Sequence, residues 1–163
     1  MISSLNKKNI EYVLKKNKDY VIQFHDGRYF ATNEQCLWIG HYGEFFEMET
    51  EKYDENGIEH TNLNDLSNCL IINFLDKYDY CKASKAEKCE FTNSLWNKTI
   101  GVISLSDDKN KQVYINEKYY NTFKKGCNFL IYKSSFPVFV ADKEGLLIGI
   151  IASMYSDDYQ IKK

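Results

Sequence analysis

The sequence holds a single proline, Pro137, and no run approaching the ~18 consecutive apolar residues that a membrane-spanning helix needs. Met1 to Leu14 contains no long apolar stretch, so no export signal is expected. The five cysteines, Cys36, Cys69, Cys81, Cys89 and Cys127, are odd in number and form no CxxC pair. Without an export signal they read as reduced thiols of a cytoplasmic protein. Cys81 and Cys89 are too far apart, and His25, His41 and His60 too irregularly spaced, for a recognised metal site. In a strand, Cys36 and His41 point to opposite faces, being an odd number of residues apart. A GxSxG elbow, a P-loop and a dinucleotide fingerprint are all missing, so no catalytic residue and no cofactor is expected. A surplus of positive charge is missing too: the net charge is −2, which excludes a generally basic coat while leaving room for a local basic face.

What is present is ordinary for a globular chain: 44% apolar and 27% charged residues, enough length for one domain with its own core. Its organising feature is an internal repeat. Shifting Arg28–Tyr42 (RYFATNEQCLWIGHY) by 109 positions brings it onto the stretch Phe136–Met154 (FPVFVADKEGLLIGIIASM). Phe30 then falls on Phe139, Asn33 on Asp142, Leu37 on Leu146, Ile39 on Ile148 and Gly40 on Gly149. Upstream, Lys15, Lys16 and Asn17 fall on Lys124, Lys125 and Gly126, and with one residue of slack Asn6 and Lys8 fall on Asn116 and Lys118. One supersecondary unit therefore occurs twice.

Each unit reads as strand, helix and three-stranded meander. In the first, Met1 to Leu5 can form a strand, Asn6 can cap a helix over Lys7 to Lys16, and Ile10, Val13 and Leu14 form its apolar stripe. Strands are expected at Tyr20–Phe24, Arg28–Thr32 and Cys36–Tyr42, the first two joined at Asp26-Gly27. In the second, Gln112–Ile115 is a strand and Asn116 caps a helix from Glu117 to Lys125, closed by Gly126. Strands come next at Asn128–Lys133, Phe136–Asp142 and Leu146–Met154, with Pro137 suited to a strand start or edge. Tyr119, Tyr120 and Phe123 form the buried stripe of that helix. The two helices should be similar in length and share one face.

Between the units, Glu44–Glu59 carries seven acidic residues and one Lys52. It reads as a solvated insertion or a long acidic hairpin. Leu66, Leu70, Ile71 and Phe74 suit a helix over Asn64–Tyr78, although Leu70–Phe74 suits a buried strand equally. Asp76–Lys88 reads as a polar loop and Glu90–Leu105 as strand-forming. The fold class is α+β, a single domain over residues 1–163: repeat one at about 1–43, insertion and connector at 44–111, repeat two at 112–155, and a polar tail at 156–163.

The segments Asp26–Gly40, Val113–Phe123 and Phe136–Met154 resemble a domain of the DNA sliding clamps, specifically of the bacterial beta-type processivity clamp. That family repeats a strand-helix-three-strand unit by pseudo-twofold symmetry, with two helices side by side on curved sheets, and assembles several such domains into a ring. Its alanine-threonine-acid-glycine turn is similar to Ala31-Thr32-Asn33-Glu34, where the glycine is missing. Its proline-methionine-arginine ending is replaced here by Ala152-Ser153-Met154-Tyr155.

The resemblance implies a lysine-rich two-helix face, with Lys8, Lys15, Lys16, Lys118 and Lys125 as candidate contacts to duplex DNA and Lys18 and Lys124 beside them. Lysines meet phosphates without reading bases, which is the attraction without fixed register that a clamp interior requires. The plain alternative is the solvated side of two amphipathic helices. The functional expectation is a non-enzymatic DNA-associated protein. The alternative is an interaction module of the same fold that self-associates or engages a replication-related protein without DNA. Tyr12, Tyr119 and Tyr120 stand where they could stack on a single strand, although Tyr119 and Tyr120 also fit the core.

Overall fold

The computed structural model describes residues 4–17, 21–25, 27–41, 59–60, 70–88, 101–109 and 111–154, with backbone alone for 15–17, 21–25 and 59–60. Leu5 makes a single antiparallel bridge with Phe123, and α1 comes after it at Lys7–Asn17. Then come β1 (Val21–His25), β2 (Arg28–Thr32), β3 (Cys36–Gly40) and a short β4 (Glu59–His60). Next are α2 (Leu70–Lys77), a 3₁₀ turn at Tyr80–Lys82 and β5 (Ser84–Lys88). The chain continues with β6 (Val102–Ser106), β7 (Gln112–Asn116), α3 (Glu117–Tyr120), β8 (Asn128–Ile131), β9 (Val138–Ala141) and β10 (Leu147–Ile151). The domain is α+β, and among the described residues its strands order β4-β1-β2-β3-β10-β9-β8-β5-β6-β7, every neighbour antiparallel.

Eight strands make one continuous run as far as β5, which then turns the corner. Ser84 to Ala86 pair with β8, while Glu87 and Lys88 pair with β6. A strand that serves two neighbours along its length bends the sheet around a core. The bend continues until the segment after β10 meets the far edge, where Met154 N–H donates to the Tyr114 carbonyl of β7 at 2.7 Å. The strands β10-β9-β8-β5-β6-β7 thus curl towards closure, which covers part of the β7 edge.

The central strands are apolar on both faces because both are covered. Along β3, Leu37 and Ile39 face one cluster and Trp38 the other; along β9, Phe139 opposes Val138 and Val140. The larger cluster fills the curled sheet under α1 and α3, taking Ile10, Val13 and Leu14 from one and Tyr119 from the other. The second lies under α2, where Ile71 and Ile72 meet Phe30, Leu37, Phe139 and Ile150. Leu70–Lys77 is thereby a helix rather than a strand. The remainder of the 64–78 expectation, the 44–58 insertion and the tail from Tyr155 lie outside the described residues.

Two expectations are corrected. Helix α3 stops at Tyr120 instead of running to Lys125. Asn116 starts it, its Oδ1 accepting from Lys118 N–H, but tertiary partners claim the residues after Tyr120. The Thr122 hydroxyl donates to the Tyr119 carbonyl, the Thr122 carbonyl accepts from Asn6 N–H at 2.7 Å, and Phe123 bridges Leu5. Residues 121–126 are two turns on either side of the Phe123 bridge, closed at Gly126 with φ +97°. The two helices are therefore unequal, although both bury side chains in the same cluster. Second, 84–88 is a strand, not a loop. Only Ala86 of Ser84–Lys88 is buried, so the segment shows no apolar period of its own and is recruited by β8 and β6 on either side.

The repeat also pairs differently from its alignment. In the first meander Phe30 opposes Ile39; in the second Phe139 opposes Ile150, two residues beyond the aligned Ile148. A bulge between Leu147 and Gly149 takes up part of the offset. Leu146, aligned with Leu37, is 46% exposed, and Ile148 faces the opposite cluster from Ile39. The turn residues do correspond: Asn33 Oδ1 accepts from Gln35 and Cys36 N–H, and Asp142 Oδ1 from Glu144 and Leu146 N–H.

Gly149 sits where β10 meets Trp38 of β3. A Cβ there would overlap the Phe123 ring and lie 2.6 Å from the Leu37 carbonyl oxygen. The ring can move but the backbone carbonyl cannot. Gly149→Ala should therefore cost about 1–3 kcal/mol by denaturant unfolding. In a double-mutant cycle with Phe123→Leu, part of the penalty should be relieved; strictly additive effects would show that the ring does not set the close approach.

Candidate functional site

Two helices, one loop and the strands β5 and β8 build a groove. Asn6 caps α1, its Oδ1 accepting from Asn9 N–H at 3.2 Å, three residues on. Asn9 Nδ2 donates to the Asn121 carbonyl at 2.7 Å and ties α1 to the end of α3. Lys124 N–H donates to the Ser4 carbonyl at 2.8 Å, pinning the loop to the segment ahead of α1. These bonds frame a cavity of about 570 Å³, lined by Asn6, Asn9 and Asn121, by Lys88, Lys124 and Lys125, and by Tyr120, Phe123, Gly126 and Phe129. Among the described residues no carboxylate is part of that lining.

One wall is aromatic. The Tyr120 and Phe129 rings stack at 4.8 Å with 20° between planes, and Phe123 meets Phe129 edge-on at 6.3 Å. Lys88 Nζ lies over the Tyr120 ring, 5.7 Å from its centroid. Burial raises the Tyr120 phenol above its ordinary value, and the charge of nearby Glu87 adds to that, so the group is neutral at physiological pH.

Of the five lysines named from sequence, Lys125 lines the groove. Lys8 and Lys118 are exposed on α1 and α3 outside its lining, Lys118 Nζ standing 5.0 Å from the centroid of the Tyr119 ring. Lys15 and Lys16 fall in the last turn of α1, their side chains outside the described residues. Lys124, named only as a neighbour, is in the lining; Lys88 was missed because it ends the strand that had no period.

Beside the groove, a buried relay joins the two halves of the fold. Trp38 Nε1 donates to Thr122 Oγ1 at 2.7 Å, Thr122 to the Tyr119 carbonyl, and Asn33 Nδ2 to the Tyr119 hydroxyl at 3.1 Å. Burial pushes the Tyr119 phenol up to about 12 against the Asn33 bond, so it stays protonated and structural. Burial likewise pushes the Cys36 thiol well up and raises Cys127, which leaves both as poor nucleophiles. Among the described residues no three His, Cys, Asp or Glu side chains converge as metal ligands.

A second cavity, about 560 Å³, is lined by Lys85, Glu87, Ser106, Asp107 and Asp108. Asp107 Oδ1 accepts from Lys109 and Lys111 N–H, which closes the β6–β7 turn, and its Oδ2 faces Lys111 Nζ at 3.8 Å. Desolvation pushes this carboxyl up, but the backbone N–H groups of Lys111 and Lys109 and the Lys111 charge outweigh it, so the net shift is downward. The group is a turn lock already matched by a cation.

The chain matches no protein-family model, no curated protein and no solved structure.

Two measurements check this framework. Asn6→Ala should cost about 1 kcal/mol of stability, and Asn6→Asp should cost little, because the second variant keeps an N-cap acceptor; equal losses would remove the cap from the account of α1. A lowered carboxyl pKa contributes stability that is in place above the ordinary value of 3.8 and is lost as pH falls through the lower folded value. Asp107→Asn keeps an acceptor for the turn without the proton linkage, so acid unfolding curves should be flatter than for the parent chain; superimposable curves would exclude Asp107 as a source of the acid transition.

Proposed function

We propose that this chain is a non-enzymatic DNA-associated protein of sliding-clamp type, acting in the cytoplasm and contacting duplex phosphates through lysines on the side that carries α1 and α3. One observation carries the reading: Lys88, Lys124 and Lys125 converge on a groove with no carboxylate among the described residues of its lining, in a chain of net charge −2. Charge concentrated in one place against an acidic average is what binding to a polyanion needs. Exposed Lys8 and Lys118 extend the positive potential along the helices. Ammonium groups on flexible stems give affinity without sequence preference, because they neutralise phosphates and release counterions but present no fixed pattern to base edges. A helix ahead of a three-stranded meander in both halves, with a strand before the helix in the second and a single bridge at Leu5 in the first, supports the comparison with clamp domains. Among the described residues no helix is long and apolar enough to cross a membrane.

A second reading, an interaction module that uses the same fold to engage a protein partner, is favoured by a different surface. Phe74 and Tyr78 of α2 meet Tyr132 and Phe136 in a half-buried aromatic cluster, with Lys77 Nζ 5.5 Å from the Tyr78 centroid and Lys133 Nζ 5.4 Å from that of Phe136. Aromatic groups are enriched at the centre of protein interfaces, and charged groups such as these lysines belong to the polar rim around it.

Fluorescence anisotropy on a short labelled duplex, repeated over a salt series, separates the two. Five lysine–phosphate contacts, from Lys8, Lys88, Lys118, Lys124 and Lys125, predict a slope of log K against log salt of roughly −4 to −5. Charge reversal at Lys88, Lys124 and Lys125 together should abolish binding, and Lys8→Glu or Lys118→Glu should each lessen the slope by about one. A chain that ignores duplex DNA at low salt refutes the DNA reading and leaves the interaction module. Light scattering on the eluting protein, with and without duplex, reports whether several copies assemble into a ring.

A further inference from the structure

The groove is the wrong shape for a duplex alone. Its volume of about 570 Å³ lies in the range of small-ligand pockets, about 300–1,000 Å³, and suits a group the size of one nucleotide. A duplex keeps its bases stacked inside and offers only its phosphates to a lysine surface. It would use the rim of this groove and leave the aromatic wall idle. Yet that wall is built in detail. Phe129 holds the Tyr120 ring from one side by stacking, and Phe123 fixes Phe129 edge-on, so the ring is oriented before any ligand arrives. Ordering a stacking platform in advance removes an entropy cost from binding. Lys88 adds a cation over the same ring, and Lys124 and Lys125 stand on the adjoining loop. Tyr12, 64% exposed, lies one helical turn beyond Asn9 on α1, at the spacing of neighbours on a helix surface.

We infer that this groove takes single-stranded nucleic acid, with an unpaired base stacked on Tyr120 and the flanking phosphates held by Lys88, Lys124 and Lys125. The inference rests on the nucleic-acid reading above and adds to it a strand preference and a residue, Tyr120, that duplex contact does not require. Base–aromatic stacking tolerates any base, since each has a π-face, so the preference is for unpaired strands and not for sequence.

The test is a matched pair of anisotropy titrations at low salt, one with labelled oligothymidylate and one with a duplex. The proteins are the parent chain, Tyr120→Leu, Tyr120→Phe and the triple lysine-to-glutamate variant. Tyr120→Leu should weaken single-strand binding by about 10-fold, within the range expected for losing one base stack, and weaken duplex binding by much less, because the lysines that meet the phosphates are kept. Tyr120→Phe keeps the ring and should bind both like the parent, with its thermal unfolding confirming an intact fold. The triple variant should lose both ligands. Single-strand affinity that is the same with leucine as with tyrosine overturns the inference, as does binding of duplex without single strand; in the latter case the duplex reading survives. Binding of neither nucleic acid overturns both.

Discussion

The pairing of β3 with β10 is the contact on which everything else depends. Among the described residues it is the one strand ladder that joins the first meander to the second, and it is cut close: the Leu37 carbonyl comes so near Gly149 that a side chain there has no room. A three-stranded meander with one covered face is marginal by itself, so neither half gains a two-faced core until this seam forms. The Trp38–Thr122 hydrogen bond then crosses the same seam beneath α3, adding direction to what apolar burial alone would leave loose.

The groove is a by-product of how that seam is capped. Thr122 and Phe123 are drawn towards Asn6 and Leu5, which shortens α3 and throws residues 124–126 outward as a loop. Had the helix continued, its lysines would have pointed along a convex surface. Because it stops, Lys124 and Lys125 border a concavity whose other wall is supplied by the corner strand β5 through Lys88. Charge and aromatic surface meet there because the sheet bends.

Much of the fold was legible. Period-two alternation and turn residues located seven of the strands, β1 to β3 and β7 to β10, within a few residues, and Asn6 and Asn116 cap the helices that their positions indicated. The features that could not be read depend on partners remote in sequence. Ser84–Lys88 is a strand because its neighbours have free hydrogen-bonding edges, which leaves no trace in its own composition. The register of Ile150 against Phe139 is set by a bulge and a turn one residue longer, which an alignment of identities cannot register. Of the five lysines that the sequence offered, only Lys125 lines the candidate groove, whose membership was decided by the premature end of α3. That end comes from Thr122, whose hydroxyl bonds the helix's own carbonyl while its carbonyl is claimed by Asn6.

The β3–β10 ladder also sets a timetable for synthesis. Leu147 leaves the ribosome 107 residues after Gly40. At about 5–20 residues per second, β3 waits roughly 5–20 seconds with an apolar edge and no partner. During that interval Cys36 to Gly40 is open to pairing with any extended chain nearby, including the same segment of a neighbouring nascent copy. Slower translation of the stretch between them lengthens the exposure, so the yield of folded protein in a cell is tied to elongation rate and to whatever holdase covers that edge in the meantime.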